Sequence, residues 1–298
     1  MGGEEHLLGA GVCQHPGCFL PVLTGAAYCW HHLKIPDRYF QDINTRLRKE
    51  RFLSGFNLGK IRFSKMDWGG YTIEDTNFSH TTWIHCHFSK TVFERCLFRN
   101  AVFVNCDFSE ADGHECIFAG SILEDVTFLE STFRYCHFEM VRGMQIRFDD
   151  ADFSYSTFHG AFLPRSIWDG ARLFGADFSS AFLGESSFKR VKARDLVLGA
   201  AWCRGSDFRG ADMENANAVG ILAEDADFRE TNLNSARLTR AILTRAQFQG
   251  ADCRQADFQE AHFRKAQCRG ADFRDAHLER ADFTDAHLKD FQMDQTEL

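Results

Sequence analysis

Four residues near the N-terminus have the types and spacing to bind a metal ion. Cys13, Cys18, Cys29 and His32 run in the order C-x4-C-x10-C-x2-H. Thiolate and imidazole donors in fours are the usual ligands of structural zinc, and such short spacings suit a site held by turns. Pro16 and Gly17 fall between the first two cysteines, where a tight turn wants them. His31 is the alternative fourth ligand and His15 a weaker one. Four protein ligands leave no open position, so a Zn2+ here would be structural, not catalytic.

The rest of the sequence carries no comparable chemistry. It shows no nucleophile–base pair, no glycine-rich phosphate loop and no open metal site. Eight further cysteines fall on a regular frame, and three of them, Cys96, Cys116 and Cys136, are spaced by twenty. They read as small buried hydrophobes, with a redox or metal ladder as the alternative. Unpaired thiols in such number favour a reducing cytoplasm. No run of 18 apolar residues offers a membrane span. The opening "MGGEEHLLGAGVC" lacks the basic region of a secretory signal, and His6 stands where a myristoylation motif has Ser or Thr.

What must position these residues is a repeat. In "GADCRQADFQEAHFRKAQCRGADFRDAHLERADF", residues 250–283, Ala returns every fifth residue and a Phe, Cys or Leu follows two later. Stepping by five from Leu53 to Leu298 gives 50 centres in one phase, of which 23 are Phe and 13 are Leu. Two residues before the centre stands Ala, Ser, Thr, Cys or Val in 41 of the 50. Neither a helix nor a flat strand has a period of five. A solenoid does: the large centre points to one axis, the small residue also turns inward, and the other three face water. Cys86, Cys96, Cys106, Cys116 and Cys136 take the small position, and Cys203, Cys253 and Cys268 take the centre. Four units make a square coil, and coils stack at about 4.8 Å.

This comb resembles the pentapeptide-repeat family, whose unit is A(D/N)Lxx or A(D/N)Fxx. The resemblance covers Leu53 to Leu298 and implies an all-β solenoid: a right-handed quadrilateral parallel β-helix of about twelve coils, on the order of 60 Å long. The cysteine-rich segment more loosely resembles a treble-clef-like zinc knuckle. Three parts follow: a knuckle at 1–35, a helix at 36–50 and the β-helix at 51–298. Pro36 and Asp37 mark the helix start, with Asp37 as N-cap. Phe40, Ile43 and Leu47 recur at helical spacing, and Arg46, Arg48 and Lys49 suit its C-terminal end. Its expected role is to cover the first coil. At the other end Phe291 and Met293, or another subunit, would cover the last.

Residues 1–50 are balanced, with five basic and five acidic residues, so the net charge of −8 lies on the repeat. An acidic rod resembles the quinolone-resistance members of the family, which mimic DNA and bind DNA gyrase. Inhibition of gyrase, protecting against quinolones or a toxin, is thus the alternative function. Against it, Arg209, Arg229, Arg269 and Lys289 fall at steps of twenty and line one side, and the comb lacks the family's interrupting loops. A nucleic-acid groove conflicts with the acidity. The residue just before the centre is usually polar, yet steps of twenty pick out Phe162, Phe182, Trp202, Leu222 and Ile242. Over four steps that is an outward apolar stripe of about 19 Å. Val102 and Ile122 continue it beyond Arg142. Such a patch marks a protein-partner or self-association site. The expectation is a non-enzymatic, cytoplasmic interaction rod. Its surface is expected to be convex and without a cleft.

Overall fold

The computed structural model describes residues 11–47, 49 and 51–293. The first described element is a hairpin in which Val12 bridges Pro21 antiparallel, and Gly17 turns its tip with φ 78°. A 3-10 turn, Trp30–His32, and a helix, α1, Pro36–Leu47, follow. Proline's fixed φ suits the first helical position. The helix therefore begins at Pro36 itself, and Asp37 lies inside the first turn, not at the N-cap where the sequence put it. Arg48, Glu50, Leu298 and the side chains of Phe40, Arg46 and Leu47 lie outside the described residues.

From residue 51 the chain is an all-β parallel solenoid with a register of twenty. The first coils form two five-stranded sheets. One contains β1 (Phe52–Ser54), β3 (Thr72–Glu74), β5 (Val92–Glu94), β7 (Asp112–His114) and β9 (Thr132–Arg134). The other contains β2 (Arg62–Ser64), β4 (Thr82–Ile84), β6 (Val102–Val104), β8 (Ile122–Glu124) and the two-residue β10 (Arg142–Gly143). The remaining two sides of each coil, and all four sides from Ala151 on, are joined by single-residue parallel bridges. Coil-to-coil hydrogen bonds run through both regions, as in Thr82 N to Ile61 O, 2.9 Å, and Phe182 N to Ala161 O, 2.8 Å.

The five-residue period works because the chain turns a corner in every unit. Each residue from 55 to 290 whose number is divisible by five has a positive φ, and only 11 of these 48 are glycine. The left-handed region costs an L-residue about 1 kcal/mol and is worst for β-branched side chains. No Val, Ile, Thr or Pro occupies any of these corners.

Every centre from Leu53 to Leu278 is buried except Gly143. Their rings stack coil on coil: Phe78, Phe98, Phe118, Phe138, Phe158 and Phe178 form one column at 5.1, 4.6, 4.7, 4.9 and 4.6 Å between centroids. Gly113 is at a centre because Phe133 fills its space: a Cβ there would lie 2.2 Å from the ring. Ser, Thr or Cys is accepted at the small inward position for a specific reason. In many units its hydroxyl or thiol donates to the carbonyl 23 residues back, as in Ser121 to Phe98 (2.6 Å), Ser156 to Phe133 (2.7 Å) and Cys96 to Ile73 (3.3 Å), and in others, such as Thr81 and Ser131, to the carbonyl three residues back.

The N-terminal segment docks on the first coil. Thr24 N donates to Asn57 O (3.1 Å), Asn57 N to Thr24 Oγ1 (2.7 Å) and Asn57 Nδ2 to Val22 O (2.8 Å). Leu23 and Ile43 are buried in the common core, and Tyr39 Oη donates to Thr24 O at 3.0 Å. At the far end Phe291 stacks on Phe273 at 4.8 Å.

Candidate metal centre and interaction face

The hairpin and the 3-10 turn bring Cys13, Cys18, Cys29 and His32 together. One ligand atom from each lies within 4.8 Å of the others. The local hydrogen bonds explain the convergence. Cys13 N donates to Leu20 O (2.9 Å) and Cys18 N to His15 O (3.0 Å), which closes the hairpin around the first two thiols. Cys29 precedes the turn and His32 N donates back to Cys29 O (3.0 Å), so both face the hairpin. Cys13 Sγ is 3.5 Å and Cys29 Sγ 3.4 Å from His32 Nδ1, and Cys18 Sγ is 3.8 Å from Cys29 Sγ. A tetrahedral zinc with ordinary bond lengths would need about 3.8 Å between sulfurs and about 3.6 Å between sulfur and nitrogen. The donor set fits, with Nδ1 as the imidazole ligand.

Burial raises the Cys13 thiol, but hydrogen bonds to the Cys29 and His15 amides and to the His32 and Cys29 side chains outweigh it and hold it at about 6. His15 stacks flat on His32, with centroids 3.8 Å apart, and so braces the ligand. His31 points elsewhere: its Nε2 is 3.0 Å from Lys60 Nζ on the first coils.

The apolar stripe lies on the side of the coil that carries β10. Parallel bridges join Phe162, Phe182, Trp202, Leu222 and Ile242 in succession. Phe162, Trp202 and Leu222 are exposed, at 43, 45 and 37%, while Phe182 and Ile242 are half-buried by their neighbours. Phe162 stacks on Phe182 at 4.9 Å, and Trp202 packs edge-on against Phe182 at 4.5 Å. The residues under Trp202 and Leu222, Cys203 and Ala223, are small and fully buried, yet neither large side chain tucks into the core.

This face is not simply convex, contrary to the expectation from the sequence. Where β10 gives way to single bridges, a depression of about 910 Å³ opens among Ile122, Arg142, Gly143, Met144, Met140 and Phe162. Met140 and Met144 stand exposed on its two rims. A second hollow of about 550 Å³ runs beside Phe182 and Trp202 to Pro164 and Arg204.

The family profile described as pentapeptide repeats matches in eight copies, over residues 93–128, 151–190, 224–252 and 251–290. The chain is a pentapeptide-repeat protein. Among solved structures it is similar to HetL, a pentapeptide repeat protein involved in heterocyst differentiation regulation from the cyanobacterium Nostoc. That match has 20% identity, covers 84% of this chain and 94% of that one, and has a TM-score of 0.33. It is also similar to QnrB1, a plasmid-mediated fluoroquinolone resistance protein, at 16% identity over 81% of this chain and 92% of that one, TM-score 0.23. A third is Rfr23, a pentapeptide repeat protein from the cyanobacterium Cyanothece, at 17% over 48% and 91%, TM-score 0.19. No curated protein matches.

Within this pentapeptide-repeat protein the remaining cysteines belong to the core. Cys96, Cys116 and Cys136 are buried and their thiols donate to the Ile73, Phe93 and Gly113 carbonyls. Burial pushes Cys203 and Cys253 up, and Cys268 up to about 12, so these thiols stay protonated and weakly reactive. Two features had a sequence signal that the comb obscured. The two methionines rimming the depression sit at a corner and beside one, outside the positions compared at steps of twenty. The buried Asp152 occupies the usually polar position, but it is 6% exposed and paired with Arg134.

Proposed function

We propose that this protein is a non-enzymatic interaction rod that presents the apolar face around Phe162, Phe182, Trp202, Leu222 and Ile242 to a protein. The observation that carries the reading is three exposed large side chains in three of four successive coils, at a position where Asp and Asn serve elsewhere in the chain. Aromatics clustered beside a hollow are typical binding hot spots, and the methionine rims supply an adaptable apolar border. The N-terminal quartet is a structural zinc site. It joins the hairpin to the 3-10 turn, and those elements dock on the first coil through Thr24 and Asn57. With all four positions taken by protein, the ion stabilises the cap and leaves no position for substrate. Eleven cysteines with no disulfide between them agree with a reducing, cytoplasmic setting. Among the described residues no helix is long and apolar enough to cross a membrane.

The test is the double variant Phe182→Asp/Trp202→Asp against wild type. Association, whether with captured host proteins or between copies, should be lost in the variant while the far-ultraviolet spectrum is retained. A variant that associates as wild type does would remove the reading.

A further inference from the structure

We infer that the apolar face pairs with the same face of a second copy, the two rods lying antiparallel with the two-fold axis between the Phe182 and Trp202 coils. The inference rests on the interaction reading above and names the occupant. Orientation follows from where the stripe lies. It runs along one edge of its face, one position before the centres, while the other edge carries charge: Arg165, Glu185, Arg204 and Asp225. In a two-fold, face-to-face pair the same patch meets itself. If the rods are parallel, left meets right and the stripe faces the charged edge. If they are antiparallel, left meets left and stripe covers stripe.

Charge then selects the register. With the axis on Trp202, Arg204 meets its own copy, Arg165 meets Arg245 and Glu185 meets Asp225. Moving the axis to between Trp202 and Leu222 sets Arg165 against Lys265. Between Phe182 and Trp202, by contrast, Arg165 faces Asp225, Asp125 faces Lys265 and Glu124 faces Arg264 of the other copy, and no like charges meet. In that register Phe182 packs on Trp202 and Phe162 on Leu222. On the stripe's outer side Gly160, Ser180, Ala200 and Gly220 hold the corners, so nothing large or charged props the faces apart. Like-charge contacts disfavour a register more strongly than rim pairs favour one.

The experiment uses the full chain and a zero-length carbodiimide cross-linker, which joins a carboxylate to an amine. Asp125 and Lys265 are seven coils apart in one chain, about 34 Å at the strand spacing, so a link between them must join two molecules. The expected result is a concentration-dependent dimer by sedimentation whose cross-linked band contains the Asp125–Lys265 peptide. Asp125→Lys and Lys265→Asp should each weaken the dimer about ten-fold, and the double exchange should restore it. Asp125 suits the exchange because its neighbours in the column, Asn105 and Gln145, are uncharged. A dimer that lacks this link, or whose affinity ignores the exchange, overturns the pairing. A chain that stays monomeric at about 100 µM, far above the affinity of a specific pair, also overturns it. If such a monomer still loses a foreign partner on Phe182→Asp/Trp202→Asp, the pairing alone is wrong. If it has no association to lose, the interaction reading falls with it.

Discussion

At the scale of single residues the metal quartet makes the firmest prediction. Elemental analysis of the purified protein should give close to one zinc per chain. Cys29→Ser should lose it, because Cys29 links both His32 and Cys18, and should loosen the cap while the coils beyond Asn57 stay folded. Fully metal-free native protein would refute the site. The sequence reading named Cys13, Cys18, Cys29 and His32 from their spacing, with His31 as the alternative fourth ligand, and the cluster is formed by the first four. Adjacent residues of a 3-10 turn point in different directions, and only the docked cap shows His31 aimed at Lys60. Asp152 makes a second prediction. Burial raises its carboxyl, but the Arg134 guanidinium, at 2.9 and 2.5 Å, and Ser154 outweigh it and lower it below the usual range. A lowered folded value means that its contribution is full above about pH 4 and is lost as pH falls through that lower value. Asp152→Asn should therefore reduce stability at pH 7 by about 1–2 kcal/mol. In thermal melts the gap from wild type should close in acid. A gap constant from pH 7 to pH 2 would show that charge is not the cause.

At the scale of elements, the corner governs the fold as much as the centre does. The comb made the inward positions legible because Phe and Ala leave a strong compositional trace. The corner leaves only an exclusion, since glycine, aspartate, arginine and even tyrosine all occupy it, and a rule about missing β-branched residues is hard to see in one chain. Gly270, on the side of the coil away from the stripe, isolates the effect. Its φ is 67° and an added Cβ would meet nothing within 4 Å, so a substitution there changes backbone preference without a clash. Gly270→Asn should be nearly neutral, because asparagine tolerates this region. Gly270→Val should cost about 1–2 kcal/mol, read as a lower denaturation midpoint with unchanged slope. Equal midpoints for the two variants would mean the corners are not under conformational selection. The switch from three-residue strands to single bridges was not legible at all. Both halves keep the same five-residue period, although the small inward position holds mostly Thr, Ser or Cys from Thr76 to Cys136 and mostly Ala from Ala151 on.

At the scale of the whole molecule, sequence periodicity put Phe162, Phe182, Trp202, Leu222 and Ile242 in one column, which parallel bridges join in succession, because a register of twenty needs no structural detail. It missed the depression beside the stripe, which arises where β10 ends and cannot be read from a period. It also undercounted how the charges are spent. Along the rod, cations and anions pair between neighbouring coils: Arg95 with Asp75 at 2.7 Å, Arg165 with Glu185 at 2.9 Å, Arg245 with Asp225 at 2.6 Å and Arg240 with Glu260 at 2.7 Å. Others pair within a unit, as in Arg209 with Asp207 and Arg274 with Asp272, both at 2.6 Å. These exposed pairs add little stability individually, but they decide what the surface resembles. Duplex DNA presents an unbroken series of negative charges, one per about 1.7 Å of axis. Here the net −8 is interrupted by guanidinium groups in most coils, and the Lys189, Arg209 and Arg229 column lines a hollow of its own. A protein site built to hold DNA would meet cations at intervals along this rod and lose the counterion release that drives phosphate binding. The expected outcome is that the purified protein, at concentrations near that of the enzyme, leaves DNA gyrase supercoiling unchanged. Inhibition at or below stoichiometric protein would show that the paired charges rearrange on contact, and would favour mimicry of DNA over the apolar face as the working surface of the rod.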